Sequence, residues 1–214
     1  MSKYTATIEV DGVLALFSRP DTGGTPTSYP IPTWSAAKGI FESVARLASG
    51  SAWIRPTSVA ICSRKDDPRR GSIRYQRYTF NYGGPLRMKT GASQQVFATA
   101  VSDVCYRITG EIVGNRSRKR GGGINPSHHL EEMFKRRRDR GQCHRTPCLG
   151  LSEFTASYWG PPRPQVTEID TAINLRIPSL LITPFSSEVD GHFQPQFHTG
   201  AEIVNGEFHY QPPR

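Results

Sequence analysis

The chain has no apolar run long enough to cross a bilayer, and Met1-Ser2-Lys3-Tyr4-Thr5 carries no apolar signal core. No membrane role is expected, and the protein is read as cytoplasmic. In that compartment its four cysteines, Cys62, Cys105, Cys143 and Cys148, are expected as reduced thiols. Nucleotide-cofactor signatures are missing too. Gly121 to Gly123 is not followed by Gly-Lys-Ser/Thr, so it is no P-loop, and no dinucleotide fingerprint occurs. Cys143, His144 and Cys148 do not have the spacing of a zinc finger or ribbon. Neither a metal nor a cofactor is therefore expected. Acid is also scarce, with 18 Asp and Glu against 27 Lys and Arg, a formal charge of +9 and a pI near 9.7.

Positive charge is present and localised. Arg64 to Lys89 carries a net +6 and Gly114 to Arg145 a net +7, so the remainder of the 214 residues is net acidic. Basicity confined to two stretches is the pattern of a polyanion-binding face rather than of uniform solubilisation. Seventeen prolines and twenty glycines with modest hydrophobicity point to a loop-rich α+β protein.

The second basic stretch contains a helix. Leu130, Met133 and Phe134 stand three and four apart, which buries one side and holds Lys135, Arg136, Arg137, Arg138 and Arg140 over solvent. Glu131 and Glu132 are placed in its first turn, the arginines in its last, and Gly141 past its end. His128 and His129 at its mouth are the obvious proton-handling group.

Tyr4 to Val10 alternates as a strand. Asp11-Gly12 then suggests a tight hairpin into Val13 to Phe17, or a bulge in one strand. Thr33 or Ser35 caps a helix to about Leu47. Trp53 to Cys62 reads as a strand despite Pro56, Gln94 to Ser102 as helix or strand, and Val104 to Val113 as a strand. Arg74, Tyr75, Arg77 and Tyr78 interleave bases with aromatics, which suits either an exposed edge strand or a finger that stacks on nucleobases and grips phosphate. Gly114 to Ser127 must be loop; Leu149 to Trp159, Ile177 to Phe185 and Glu202 to Tyr210 read as extended. The order suits a ferredoxin-like βαββαβ domain over 1–150, of the RRM kind, with a thumb hairpin at 63–89, a basic glycine-rich loop at 114–127 and a β-rich extension over 151–214.

Two blocks resemble the Cas5 family of type I CRISPR surveillance complexes, above all its subtype I-C branch. One comprises Phe17, Arg19-Pro20, Ser28-Tyr29-Pro30, Pro32-Thr33, Ser35 to Ile40 and Glu42-Ser43. The other comprises Phe134, Arg136 to Arg138, Gly141, Pro147 to Gly150 and Glu153-Phe154. The resemblance implies a repeat-associated (RAMP) ferredoxin-like fold whose thumb and glycine-rich loop hold the 5′ handle of CRISPR RNA. It implies as partners CRISPR RNA or its precursor, the backbone and large subunits of the complex, and target DNA indirectly. It also implies metal-independent cutting of precursor RNA by attack of a 2′-hydroxyl on the neighbouring phosphorus. The family's cutting group is a tyrosine after the first helix motif and a Lys-His pair before the second. His129 fits the histidine and His128 the lysine position, while the tyrosine position holds Ala45, followed by Arg46.

Arg74, Tyr75, Arg77, Tyr78, Arg116, Arg118, Lys119, Arg120, Gly121, Gly122, Lys135, Arg136, Arg137 and Arg138 are thus the expected RNA-binding residues, and His128 and His129 the expected catalytic ones. Two readings stay open: a handle-binding subunit that also cuts, and an RNA-binding module that neither cuts nor serves CRISPR defence.

Overall fold

The computed structural model describes residues 4–82, 94–114, 125–185 and 192–213. The chain is mixed α+β, built on one large antiparallel sheet. β1 (Thr5–Ala15) is followed by a helix, α1 (Trp34–Val44), then β2 (Ala52–Arg64), β3 (Arg74–Tyr82) and β4 (Gln94–Gly114). The helix α2 (Pro126–Asp139) precedes β5 (Tyr158–Gly160), β6 (Thr167–Ile169), β7 (Leu175–Phe185), β8 (Phe193–Ile203) and β9 (Glu207–His209). The sheet runs β5-β1-β4-β2-β6, with β3 on β4 and β9 on β2; β7 and β8 form a separate ribbon. The region after residue 150 therefore contributes three strands to the main sheet.

β1 is one strand, not a hairpin. Its pairing with β4 keeps one register from Thr5↔Glu111 to Ala15↔Val101. Ala6, Ile8 and Val10 point into the core, while Thr7, Glu9 and Asp11 point to the other face, as a period of two requires. Gly12 is not a turn residue. A Cβ there would lie 2.6 Å from the Leu149 side chain, so the glycine admits the segment that crosses β1.

β4 decides the length of the sheet. Gln94 to Ser102 is strand rather than helix, and it continues unbroken to Gly114. β2 pairs along one edge of β4 up to Ile61↔Tyr106, and β3 resumes along the same edge from Arg74↔Ser102. Pro56 lies where the β2 register shifts, the kind of position at which a ladder tolerates proline.

Both helices cover the even-numbered face of β4. The Thr33 side chain accepts from the Ala36 amide at 3.2 Å, which starts α1. α1 buries Trp34, Ala37, Ile40, Phe41 and Val44 and ends at Val44, three residues before Leu47. It stops there because other chain segments take over its last carbonyls. The His144 and Arg145 amides donate to the Ser43 carbonyl at 2.8 and 2.9 Å, and the Arg137 guanidinium donates to the Val44 carbonyl at 2.9 Å. α2 buries Leu130 and Phe134, the latter edge-on to Phe41 at 5.6 Å between centroids. It begins two residues before His128, so Glu131 and Glu132 fall beyond its first turn.

Leu149 to Trp159 turns more than it extends. The Leu149 amide donates to the Phe154 carbonyl at 2.7 Å, and the Leu16 amide donates to the Leu149 carbonyl at 2.9 Å.

Candidate nucleic-acid interface

At the start of α2, the Asn125 side chain caps the helix by accepting from the Ser127 amide at 3.1 Å, and Pro126 occupies the first turn. This places His128 and His129 on the solvent side of the helix mouth. The Tyr4 ring lies against His128, 5.9 Å between centroids at 44°. Tyr4 is held there at two points. Its carbonyl accepts from the Ile112 amide at 3.0 Å, and its hydroxyl accepts from the Asn125 side chain at 3.5 Å. His128 also stands with Glu131 and Glu132, their ligand atoms all within 4.8 Å of one another. A phenol, an imidazole and two carboxylates thus meet at one exposed point. His129, one residue on and also exposed, is turned by about 100° around the helix, so it stands beside this point rather than within it.

The helix does not hold all its cations over solvent. Leu130, Phe134, Arg137 and Arg138 fall at i, i+4, i+7 and i+8, so the two arginines share the buried side. Arg137 donates to Val44, and Arg138 donates to the Thr7 carbonyl at 2.8 Å and to Asp139 at 2.8 Å, with its guanidinium 5.9 Å from the Phe134 ring. Arg136 and Arg140 project outward, as does Lys135, which pairs with Glu131 at 3.2 Å.

On β3 the strand period separates the expected residues. Arg74 and Tyr78 face inward: Arg74 lies 3.5 Å from Asp67 and 3.6 Å from Asp103. Tyr78 packs edge-on to Phe154 at 5.0 Å and donates to Glu153 at 3.4 Å. Tyr75 and Arg77 face outward, 47% of Tyr75 being exposed. Phe97 on β4, half exposed, joins them, with the Arg77 guanidinium 5.7 Å from its ring. Desolvation pushes the Tyr75 hydroxyl above its ordinary pKa, while the charge of nearby Arg19 opposes the shift. Sequence reasoning does not mark Phe97, because a lone phenylalanine in an alternating strand carries no signal of which face it takes. Arg116, Arg118, Lys119, Arg120, Gly121 and Gly122 lie outside the described residues.

The two clusters do not merge. Tyr75 is opposite Val101 on β4, whereas Tyr4 meets Ile112, eleven residues further along. At strand spacing that is roughly 36 Å. Among the described residues, the sheet face away from the helices, where Glu9 and Asp11 point, is balanced rather than positive. Glu9 accepts from Arg163, Arg107 and Thr167 at 2.9 to 3.1 Å, and Asp11 pairs with Arg163. Burial pushes the Glu9 carboxyl up, but hydrogen bonds from Arg163, Thr167 and Arg107 more than offset this, holding it below the ordinary carboxylate range.

Ala45 is buried, 2% exposed, and its amide donates to the Phe41 carbonyl at 3.0 Å, so its place cannot present a functional group to solvent. Tyr29 is buried and its hydroxyl accepts from the Leu181 amide at 3.2 Å. Tyr75 and Tyr78 belong to the far end of β4, and the Tyr82 side chain lies outside the described residues. Among the described residues, Tyr4 is the tyrosine set against the histidines. Nothing in its sequence surroundings distinguishes it, since the contact spans 124 positions.

Comparison with known proteins gives a family. The Cas5d family, described as a CRISPR-associated protein (Cas_Cas5), matches residues 6–197. A protein of Mannheimia succiniciproducens named CRISPR pre-crRNA endoribonuclease Cas5d is 31% identical over 160 residues, covering 71% of this chain and 70% of its own. A protein of that same name from Thermus thermophilus is 30% identical over 174 residues, covering 81% and 70%. A crystal structure of a CRISPR-associated protein superposes with a TM-score of 0.65 at 21% identity, covering 97% of this chain and 91% of that one. A functionally uncharacterized protein from Streptococcus mutans superposes at 0.63 and 20%, covering 97% and 92%. These two likenesses bear on the fold alone.

Proposed function

We propose, from the premise that the chain belongs to the Cas5d family of CRISPR-associated proteins, that it holds the 5′ handle of CRISPR RNA and cuts precursor RNA without a metal. The work is cytoplasmic, and the partners are the RNA, the backbone and large subunits of a subtype I-C surveillance complex and, through the RNA, target DNA. The names of the two relatives support the reaction, and the contact of Tyr4 with His128 carries the assignment of the site.

In the reaction the 2′-oxygen attacks the adjacent phosphorus and the bond to the 5′-oxygen breaks, leaving a cyclic 2′,3′-phosphate and a 5′-hydroxyl. His128 takes the 2′-hydroxyl proton, and the Tyr4 phenol hydrogen-bonds the phosphorane oxygen on which charge develops. His129 is assigned proton delivery to the leaving 5′-oxygen. Arg116 to Gly122 would grip the flanking phosphates: the ends of that segment, Gly114 and Asn125, both stand at this point, Gly114 against Ser127 and Asn125 against Tyr4. Arg136, Lys135 and Arg140 extend the phosphate contacts, and Tyr75, Arg77 and Phe97 stack on bases at the far end.

We further read the fold as ferredoxin-like. The order β5-β1-β4-β2, with α1 between β1 and β2 and α2 between β4 and β5, supports this, with β3 as the base of a thumb. Residues 151–214 are kept as the β-rich extension, of which the β7–β8 ribbon stands apart from the sheet.

The test is a labelled repeat hairpin incubated with the chain and a chelator. Wild type should give a cyclic-phosphate product. His128→Ala should slow it by about 10² to 10⁴ with RNA affinity retained, and Tyr4→Phe by a smaller factor. Intact RNA after hours with wild type would leave the non-catalytic RNA-binding module standing instead.

A further inference from the structure

We propose that Cys62, Cys105 and Glu9 bind one thiophilic divalent cation of the zinc class, with its fourth position open to a cavity between β2 and β3. The inference is independent of the RNA reaction, whose groups meet β4 at Ile112, seven residues beyond Cys105.

The cavity follows from the sheet. β2 leaves the edge of β4 after Ile61↔Tyr106 and β3 returns at Arg74↔Ser102, so Asp103 to Cys105 have no strand beside them on that edge among the described residues. The gap holds about 390 Å³, lined by Cys62 and Cys105 together with Asp11, Arg74 and Asp103. It gives a cation a path inward.

Three ligands converge there, all buried, and each stands on a different strand of one sheet: Glu9 on β1, Cys62 on β2, Cys105 on β4. Their ligand atoms lie within 4.8 Å of one another. In a tetrahedral site with bonds of roughly 2.0–2.3 Å, ligand atoms stand about 3.3–3.8 Å apart. Side-chain movement of about 1 Å from that limit therefore closes the site, on backbones that three paired strands already hold in place.

The surroundings supply what such ligands need. Arg163 and Thr167 donate to the Glu9 carboxylate at 2.9 and 3.0 Å and Arg107 at 3.1 Å, the outer contacts that fix a ligating carboxylate in place. Binding sends the two thiol protons to solvent, so two thiolates and a carboxylate face the cation, and Arg107 and Arg163 offset the charge left over. The Nε–H of Arg107 is buried with no acceptor among the described residues. A water in the open fourth position would be one. Thiolate ligands select zinc-class ions over magnesium or calcium.

Two other ligand sets compete: His128 with Glu131 and Glu132, and Cys143 with His144 and Cys148. The test therefore uses the full chain carrying Cys143→Ala and Cys148→Ala, titrated with cadmium chloride. The expected result is an ultraviolet thiolate-to-cadmium charge-transfer band saturating at one ion per chain. It should vanish in added Cys62→Ala and shift to at least tenfold weaker binding in Glu9→Gln. Because Glu9→Gln could fail to fold, a second measurement uses no substitution: zinc chloride should slow alkylation of Cys62 and Cys105, read by peptide mass. No band in the Cys143→Ala/Cys148→Ala chain, a band that survives Cys62→Ala, or equal alkylation with and without zinc overturns the proposal.

Discussion

Gly150 has φ +98°, and a Cβ on it would sit 1.9 Å from the Leu16 carbonyl oxygen. The residue is one of the family-like positions, and its reason is steric: it lets the segment after α2 lie on the end of β1. Gly150→Ala should cost at least about 2 kcal/mol, from the positive φ and a backbone clash that no rotamer relieves. A urea midpoint unchanged from wild type would remove that account. Several other family-like positions have the same character. Ser28 accepts from the Phe17 amide at 2.9 Å, the Tyr29 amide donates to the Phe17 carbonyl at 2.8 Å, and Leu149 bonds Leu16. The two blocks that resemble the family are, in these residues, one clasp between distant segments rather than a catalytic signature.

At the scale of the element, α2 divides its basic residues by face. The hydrophobic spacing of Leu130 and Phe134 was legible, and it already implied that positions seven and eight after Leu130 turn inward. The run Arg136-Arg137-Arg138 hides this, because adjacent identical residues read as one feature while a helix rotates each by about 100°. Arg137→Ala should lower stability by about 1–3 kcal/mol, since it leaves the Val44 carbonyl without its charged donor, and should change RNA affinity little. Arg136→Ala with Arg140→Ala should leave stability within about 0.5 kcal/mol and flatten the salt dependence of RNA binding, by about 0.7 in log–log slope for each phosphate no longer neutralised. Denaturant titration and filter binding at several salt concentrations separate the two. A salt slope that changed only in Arg137→Ala would invert the assignment. β4 shows the opposite limit. Its first half reads equally as helix or strand, and it became strand because β3 pairs along one edge from Arg74↔Ser102 to Tyr82↔Gln94 while residues 26–28 bond Thr99 on the other.

For the whole molecule, cations expected on one continuous track lie at two ends of β4, and among the described residues the sheet face away from the helices is charge-balanced. Separate ends predict separable defects. Arg77→Ala with Phe97→Ala should weaken RNA binding by about 1–3 kcal/mol through weaker base stacking and leave the single-turnover cutting rate at saturating protein unchanged. His128→Ala should do the reverse. Equal losses of binding and of rate in both variants would mean that the ends act as one site.

Local chemistry fixed a good deal in advance. The alternation of β1, the Thr33 cap, the apolar stripe of each helix and the confinement of charge to two stretches all follow from neighbours within a few residues, and composition with two motif blocks pointed to the family. Contacts across long separations decided the rest: that Asp11-Gly12 runs straight, because the Leu149 segment crosses it; that Tyr78 packs on Phe154 while Tyr75 faces outward with Phe97; that Tyr4 lies beside His128; and that Glu9, Cys62 and Cys105 meet across three strands. The periodicity of a strand or helix tells which residues share a face, but only the packing of one element on another determines which face is covered.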